Sequence, residues 1–217
     1  MGSGNDQLWS HGNDWRWRVL DNYVIMPITI NGSGTITGLS VGGLPDGTVD
    51  GDTLASGVGG KVLQVVQTVR LQSGSSGVTS WTTLAAGDGN VEVAITPSAA
   101  SSKVLVTAHI CGFNDDDNES YHFRLARGGS AICVGTASGS RTQSSFTIGS
   151  YGAGSLPHRS ASIEFLDSPS TTSATTYALQ GLRGSAGTFY FGRNDTDSDS
   201  ASQGRFPTII TAKEVAA

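Results

Sequence analysis

The chain has 217 residues, a formal net charge of −5 and only 14% charged residues, against about 25% in an ordinary soluble domain. Glycine, serine and threonine fill 81 positions, a composition suited to short strands and tight turns and not to a helical enzyme. No apolar run reaches the length of a membrane-spanning helix and the N-terminus lacks the charged-then-apolar order of a signal peptide, so no membrane insertion is expected.

The acidity is concentrated at the front. Residues 1–60 hold 13 glycines, three of the four tryptophans, six aspartates and two arginines. Trp15-Arg16-Trp17-Arg18 alternates aromatic and basic residues as a single-strand nucleic-acid groove does. Two arginines among six aspartates make a poor phosphate trap, so no nucleic-acid partner is expected. Val24, Met26, Ile28 and Ile30 alternate with other residues at the period of a strand buried on one face, and Asn31-Gly32-Ser33-Gly34 marks a turn. From residue 35 to 60 the apolar residues Ile36, Leu39, Val41, Leu44, Val49, Leu54 and Val58 stand singly between glycines. One copy can bury little of this. Identical copies around a symmetry axis let each apolar residue meet its equivalents, so the chain reads as an N-terminal attachment and stem segment, 1–60, followed by a domain over 61–217.

In that domain, strand patterns run over 62–69, 91–95, 103–111, 121–127, 131–134, 144–148, 160–166, 176–182, 188–191 and 208–215. Gly128-Gly129 admits positive φ at both central positions of a two-residue hairpin. Many short antiparallel strands with glycine and serine turns predict an all-β, jelly-roll-like sandwich.

Chemistry-bearing clusters are few. Asn114-Asp115-Asp116-Asp117-Asn118-Glu119 and Asn194-Asp195-Thr196-Asp197-Ser198-Asp199 are acidic enough for a hard cation, but both lack the glycine at position six and the glutamate at position twelve of a calcium-binding loop. Solvated loops are the expectation, with no metal and no cofactor. No G-x-S-x-G elbow joins a strand to a helix, and His109 and His122 sit within strands as structural residues. Glu92, Glu164 and Asp167 supply carboxylates for a glycosidase pair without any spacing that places two of them together. No catalytic function is expected. Cys111 and Cys133 read as reduced, buried thiols.

Three stretches resemble the tail fibres of tailed bacteriophages, in particular short fibres ending in a β-rich receptor-binding head. They are the glycine-rich Ile36-Thr37-Gly38-Leu39-Ser40-Val41-Gly42-Gly43-Leu44-Pro45-Asp46-Gly47-Thr48-Val49, the strand Lys61-Val62-Leu63-Gln64-Val65-Val66-Gln67, and a scattered set containing Ile95-Thr96-Pro97-Ser98, Phe165-Leu166-Asp167-Ser168-Pro169, Tyr177-Ala178-Leu179-Gln180 and Ile209-Ile210-Thr211-Ala212-Lys213-Glu214-Val215. The resemblance implies a homotrimer located in the virion, joined to other tail or capsid proteins through its N-terminal segment and binding a host surface glycan or protein. Non-adsorbing particle proteins (a head fibre, a decoration protein, a tail adaptor) and a surface-polysaccharide depolymerase are the competing readings; no 20 to 30 residue period of a depolymerase β-helix is present. Binding residues favour loops on a rigid scaffold, which points to Asp115, Asp116, Asp117, Asp195, Asp197 and Asp199, with Tyr121 and Arg193 beside them and Tyr151 and Tyr190 as further aromatic faces for a sugar ring.

Overall fold

The computed structural model describes Thr29–Ile30, Ile36–Thr37 and residues 61–217 apart from 117–118 and 150–157. The chain divides into two units, Met1–Val58 and Gly59–Ala217. In the first, β1 (Thr29–Ile30) pairs antiparallel with β2 (Ile36–Thr37), Ile30 opposite Ile36, and the predicted turn at Asn31-Gly32-Ser33-Gly34 lies outside the described residues. The Trp15–Arg18 motif and residues 38–60 of the expected stem lie outside the described residues, as do Asp117 and Tyr151.

The second unit is all-β. Its strands are β3 (Val62–Arg70), β4 (Gly74–Ser76), β5 (Thr82–Thr83), β6 (Ala85–Ala86), β7 (Gly89–Asn90), β8 (Glu92–Ile95), β9 (Lys103–Asn114), β10 (Ser120–Arg127), β11 (Ser130–Ile132), β12 (Phe146–Gly149), β13 (Arg159–Asp167), β14 (Thr175–Arg183), β15 (Phe189–Phe191) and β16 (Thr208–Val215). They form two antiparallel sheets. In one, β11 and β12 share an edge of β10, β14 pairs with its other edge, and β5 and β8 follow along β14. In the other, β3, β16, β9 and β13 lie side by side. Beyond the start of β16, β15 takes its place against β9 and is followed by β4, β6 and β7.

Alternation along the long strands sets which side chains meet between the sheets. Val104, Val106, Ala108 and Ile110 of β9 and Ile210 and Ala212 of β16 face Tyr121, Phe123 and Leu125 of β10, Tyr177 and Leu179 of β14, and Val93 and Ile95 of β8, all buried in one cluster. Each large side chain there contributes about 1.5–3 kcal/mol by leaving water. Tyr121, Phe123, Phe146 and Phe189 pack ring to ring with centroids 4.8–5.2 Å apart. The β10–β11 hairpin closes through Gly128 (φ 54°) and Gly129 (φ 84°), with Arg127 opposite Ser130, as the double glycine predicts.

Gly112 shows how tightly this end is packed. It pairs with Arg159 of β13 on one side and Phe191 of β15 on the other, and a Cβ there would run into the Tyr190 carbonyl oxygen and the Phe189 ring. Neither neighbour is the free end of a flexible side chain. Gly112→Ala should therefore lower stability by roughly 1–3 kcal/mol, the usual cost of overpacking, read as a lowered urea midpoint at unchanged m; a midpoint unmoved from the wild type would show that β15 gives way freely.

Two expectations about polar and sulfur groups meet different outcomes. The buried thiols need correction: Cys133 is exposed and Cys111 half-buried, both as free thiols. Cys133 falls just past β11 in a left-handed conformation (φ 53°) and Cys111 points to the outer side of β9. His109 and His122 lie within β9 and β10, where strands are predicted, His109 Nδ1 lying 2.9 Å from Ser162 Oγ and His122 Nδ1 3.2 Å from Thr147 Oγ1.

Candidate functional site at the end of β9

The two acidic loops are both anchored at the C-terminal end of β9. The chain leaves β9 at Asn114 and immediately ties back: the Asp115 N–H donates to the Thr188 carbonyl at 3.0 Å, and Asp115 Oδ1 accepts from the Thr188 N–H at 2.6 Å. Ser185 donates to the Glu119 carboxylate. Asp115 and Glu119 thus hold the 115–119 loop against the 185–188 turn, while Asp116 is half-buried beside Gly187. Asp115 is exposed, but its inner carboxylate oxygen is occupied.

The second loop, 193–205, crosses the outer side of the same strand. Phe113 points outward from β9 and is nonetheless buried, because Tyr190 stacks on it (5.4 Å between centroids, 20° between planes), His158 meets it edge-on at 5.2 Å and the Arg193 guanidinium lies over both rings, 4.3 Å from Tyr190 and 5.9 Å from Phe113. Cation–π contacts of this kind contribute about 0.5–1 kcal/mol at partly exposed sites. Arg193 Nη1 also donates to the carbonyls of Asn194 and Asp195, and the Asp195 N–H donates to His158 Nε2 at 3.1 Å. Asp197, in a left-handed conformation (φ 48°), closes the loop by pairing with Arg205 at 2.6 Å and Arg193 at 3.7 Å. Arg205 in turn donates to Ser73 Oγ, and Asn194 Oδ1 accepts from the Gly204 N–H.

Of the residues expected to contact a ligand, Arg193, Asp195 and Asp197 are brought together, and Arg193 and Asp197 serve mainly to order their own loop. Asp195 and Asp199 remain exposed. Tyr121 must be corrected: the ring is fully buried between the sheets, its hydroxyl donates to Ser76 Oγ at 2.6 Å, and burial pushes the phenol above the ordinary tyrosine range although the Ser76 bond opposes it. No face of Tyr121 is open to a sugar; Tyr190, half-buried under Arg193, reaches the surface at this end, as do the half-buried Phe206 and the exposed His158. His158 and Arg205 were not legible as partners in sequence, since 37 residues separate His158 from Asp195 and only the fold brings them together.

A second surface cluster lies on the other sheet, where Trp81 sits 4.5 Å from the Arg124 guanidinium and Arg124 Nε donates to Gln180 Oε1. Of the carboxylates considered for a glycosidase pair, Asp167 is buried and bonded to Arg127 and Tyr177. Among the described residues no three His, Cys, Asp or Glu side chains converge to hold a metal ion.

The class defined is an all-β domain carrying two polar loops at one end of the long strand β9. No protein-family model and no curated protein matches the chain.

Proposed function

We propose that this chain is a homotrimeric virion fibre protein whose head binds a glycan or protein of a bacterial surface, anchored in the particle through residues 1–60. The observation that carries the reading is the ordered 193–205 loop. Its backbone is held by Arg193 and His158 and its two ends by the Asp197–Arg205 pair, while Asp199, the surrounding serines and Asp195, whose Oδ1 accepts from Thr196, stay exposed. Exposed carboxylates and hydroxyls on a rigid support accept and donate hydrogen bonds to sugar hydroxyls at little ordering cost. The resemblance to short phage fibres and the glycine-rich segment ahead of the head support the same reading.

The test is retention of the labelled full-length chain on a panel of bacterial strains and on their purified surface glycans. Asp195→Ala with Asp199→Ala should reduce retention at least tenfold on strains that bind the wild type, with a thermal midpoint little changed, since exposed-loop substitutions usually stay within about 0.5 kcal/mol. Undiminished retention by that variant would remove the loop from the contact. A wild type retained by no strain would favour a non-adsorbing particle protein, and shortened glycan products would favour the depolymerase.

A further inference from the structure

The edge strand β3 has its polar and apolar sides the opposite way round from an ordinary half-buried strand. The residues turned toward the core are Gln64, Val66, Thr68 and Arg70, whereas Leu63, Val65, Gln67, Val69 and the following Leu71 face away from it. Hydrogen bonds lock this register: Gln64 Nε2 donates to Glu214 and to the Thr96 carbonyl, and Arg70 donates to the carbonyls of Asn90 and Asp88. A slip by one residue would swap the faces and break all four. Among the described residues the exposed large hydrophobics are Val62, Leu63, Val65 (58%), Val69, Leu71 (70%) and Leu166 (51%), and all but Leu166 belong to β3 or follow it directly.

The apolar surface continues across the sheet. Val65, Lys213, Leu105 and Leu166 stand opposite one another in one row, and Gln67, Thr211, Thr107 and Glu164 in the next. A shallow groove of about 310 Å³ lies on this side, lined by Val65, Gln67, Thr107, His109, Ile209 and Lys213. The 193–205 loop covers the outer side of β9 at Phe113 and leaves these rows open.

We propose that copies of this chain pack on one another through this face, with β3 at the contact. The inference rests on the self-association in the proposed function and assigns its surface. Two observations favour a second copy over an unrelated partner. The unit boundary falls at Val58/Gly59, so the segment of sparse apolar residues runs into β3 within four residues; copies joined through it would bring identical β3 strands together at high effective concentration. The two middle rows carry one lysine, Lys213, and one glutamate, Glu164, so identical faces meet without net repulsion. An apolar edge strand of nine residues, uncovered among the described residues, is otherwise a site for indiscriminate pairing.

The test uses the full chain carrying Val65→Cys, with solution mass from light scattering and the maleimide labelling rate at position 65 located by mass spectrometry, the exposed native Cys133 serving as the fast internal reference. A mass of three chains is expected, with the introduced thiol labelled at least tenfold more slowly than Cys133. Adding Val69→Asp and Leu166→Asp should raise the labelling rate at position 65 toward that of Cys133 with the far-ultraviolet circular dichroism unchanged. Should that pair disturb the fold, Gln67→Arg in the same background gives the same comparison. A three-chain mass with fast labelling would overturn the proposal and leave the copies joined by residues 1–60 alone. A one-chain mass with slow labelling would overturn it in favour of the chain's own N-terminal segment on the face. One-chain mass with fast labelling would remove both the face and the self-association, whereas the attachment reading stands or falls separately on retention by cells.

Discussion

Replacing Asp167 with alanine should lower the stability of the β domain by about 3 kcal/mol, the lower end of the range for breaking a buried ion pair. Asp167 closes β13 and is 6% exposed. Its carboxylate accepts from Arg127 Nη1 at 2.8 and 3.0 Å and from the Tyr177 hydroxyl at 2.6 Å, so one side chain of one sheet holds two strands of the other, β10 and β14. Burial, and then the hydrogen bond and charge of Asp167, push the Tyr177 phenol above the ordinary tyrosine range. Without the carboxylate, Tyr177 keeps a buried hydroxyl with its acceptor gone, whereas Arg127, about a third exposed, can turn to water. That relief sets the loss at the low end. A loss of about 3 kcal/mol lowers the thermal midpoint by roughly 6–12 °C for a domain of this size. Tyr177→Phe removes only the phenolic bond and should cost about 1 kcal/mol. Calorimetry of the three proteins checks the order; an Asp167→Ala midpoint equal to that of Tyr177→Phe would show that the Arg127 pair contributes nothing.

Acid should act through Glu214, the second large effect. This carboxylate is buried on the inner side of β16 and accepts from the Ser98 N–H at 2.7 Å, Ser98 Oγ at 2.6 Å and Gln64 Nε2 at 3.2 Å, joining the 96–102 turn to the sheet that β3 and β16 share. Burial alone would raise its pKa; the bonds from Ser98, Ser102 and Gln64 outweigh that and hold it below the ordinary carboxylate range. A carboxyl depressed on folding contributes stability above its unfolded value, near 4.3, and loses it as the pH falls through the lower folded value. Wild-type stability should therefore decline from about pH 4.3 downward. His122, whose pKa burial lowers, adds a separate loss that starts higher, as the pH falls below the ordinary histidine value near 6.5. Glu214→Gln should flatten the lower limb and spare the upper one. Glu214→Ala should cost about 2–3 kcal/mol at neutral pH, since it removes the hydrogen bonds that a charged acceptor takes from Ser98 and Gln64, while the exposed Ser98 and half-buried Gln64 can turn to water. Urea titrations between pH 3 and pH 8 read both limbs; an unchanged lower limb in Glu214→Gln would assign the acid response elsewhere.

The long strands were legible because their alternation is strong and glycines or prolines bound them: β9, β10, β13, β14 and β16 each fall within a few residues of the predicted ranges. β4 to β7 were not. Gly74-Ser75-Ser76, Thr82-Thr83, Ala85-Ala86 and Gly89-Asn90 are two- or three-residue ladders with no period to detect, and β4 is strand because β15 and β6 pair with it. Periodicity also cannot say which face of a strand is inward, so the strand pattern over 62–69 leaves the inverted faces of β3 unread. At the site, the loops were legible from their acidity, but the roles within them were not. Tyr121 borders an acidic run in sequence, yet strand parity turns it inward onto Phe123 and Phe189. The partners that order Asp195 and Asp197 come from before β13 and from just before β16, separations that no local pattern encodes.

The place of β16 in its sheet has a consequence for how the protein is made. It lies between β3 and β9 and pairs with both along nearly its full length, yet it follows every other strand in chain order. A ribosome adding roughly 5–20 residues per second delivers β3 and β9 long before the strand that separates them. Until residues 208–215 emerge, the nascent domain carries two open ladder edges and the uncovered inner rows of Val104, Val106 and Val66. The final sheet closes only when its middle arrives, so newly made chains on neighbouring ribosomes pass through an interval in which each can lend a strand to the other.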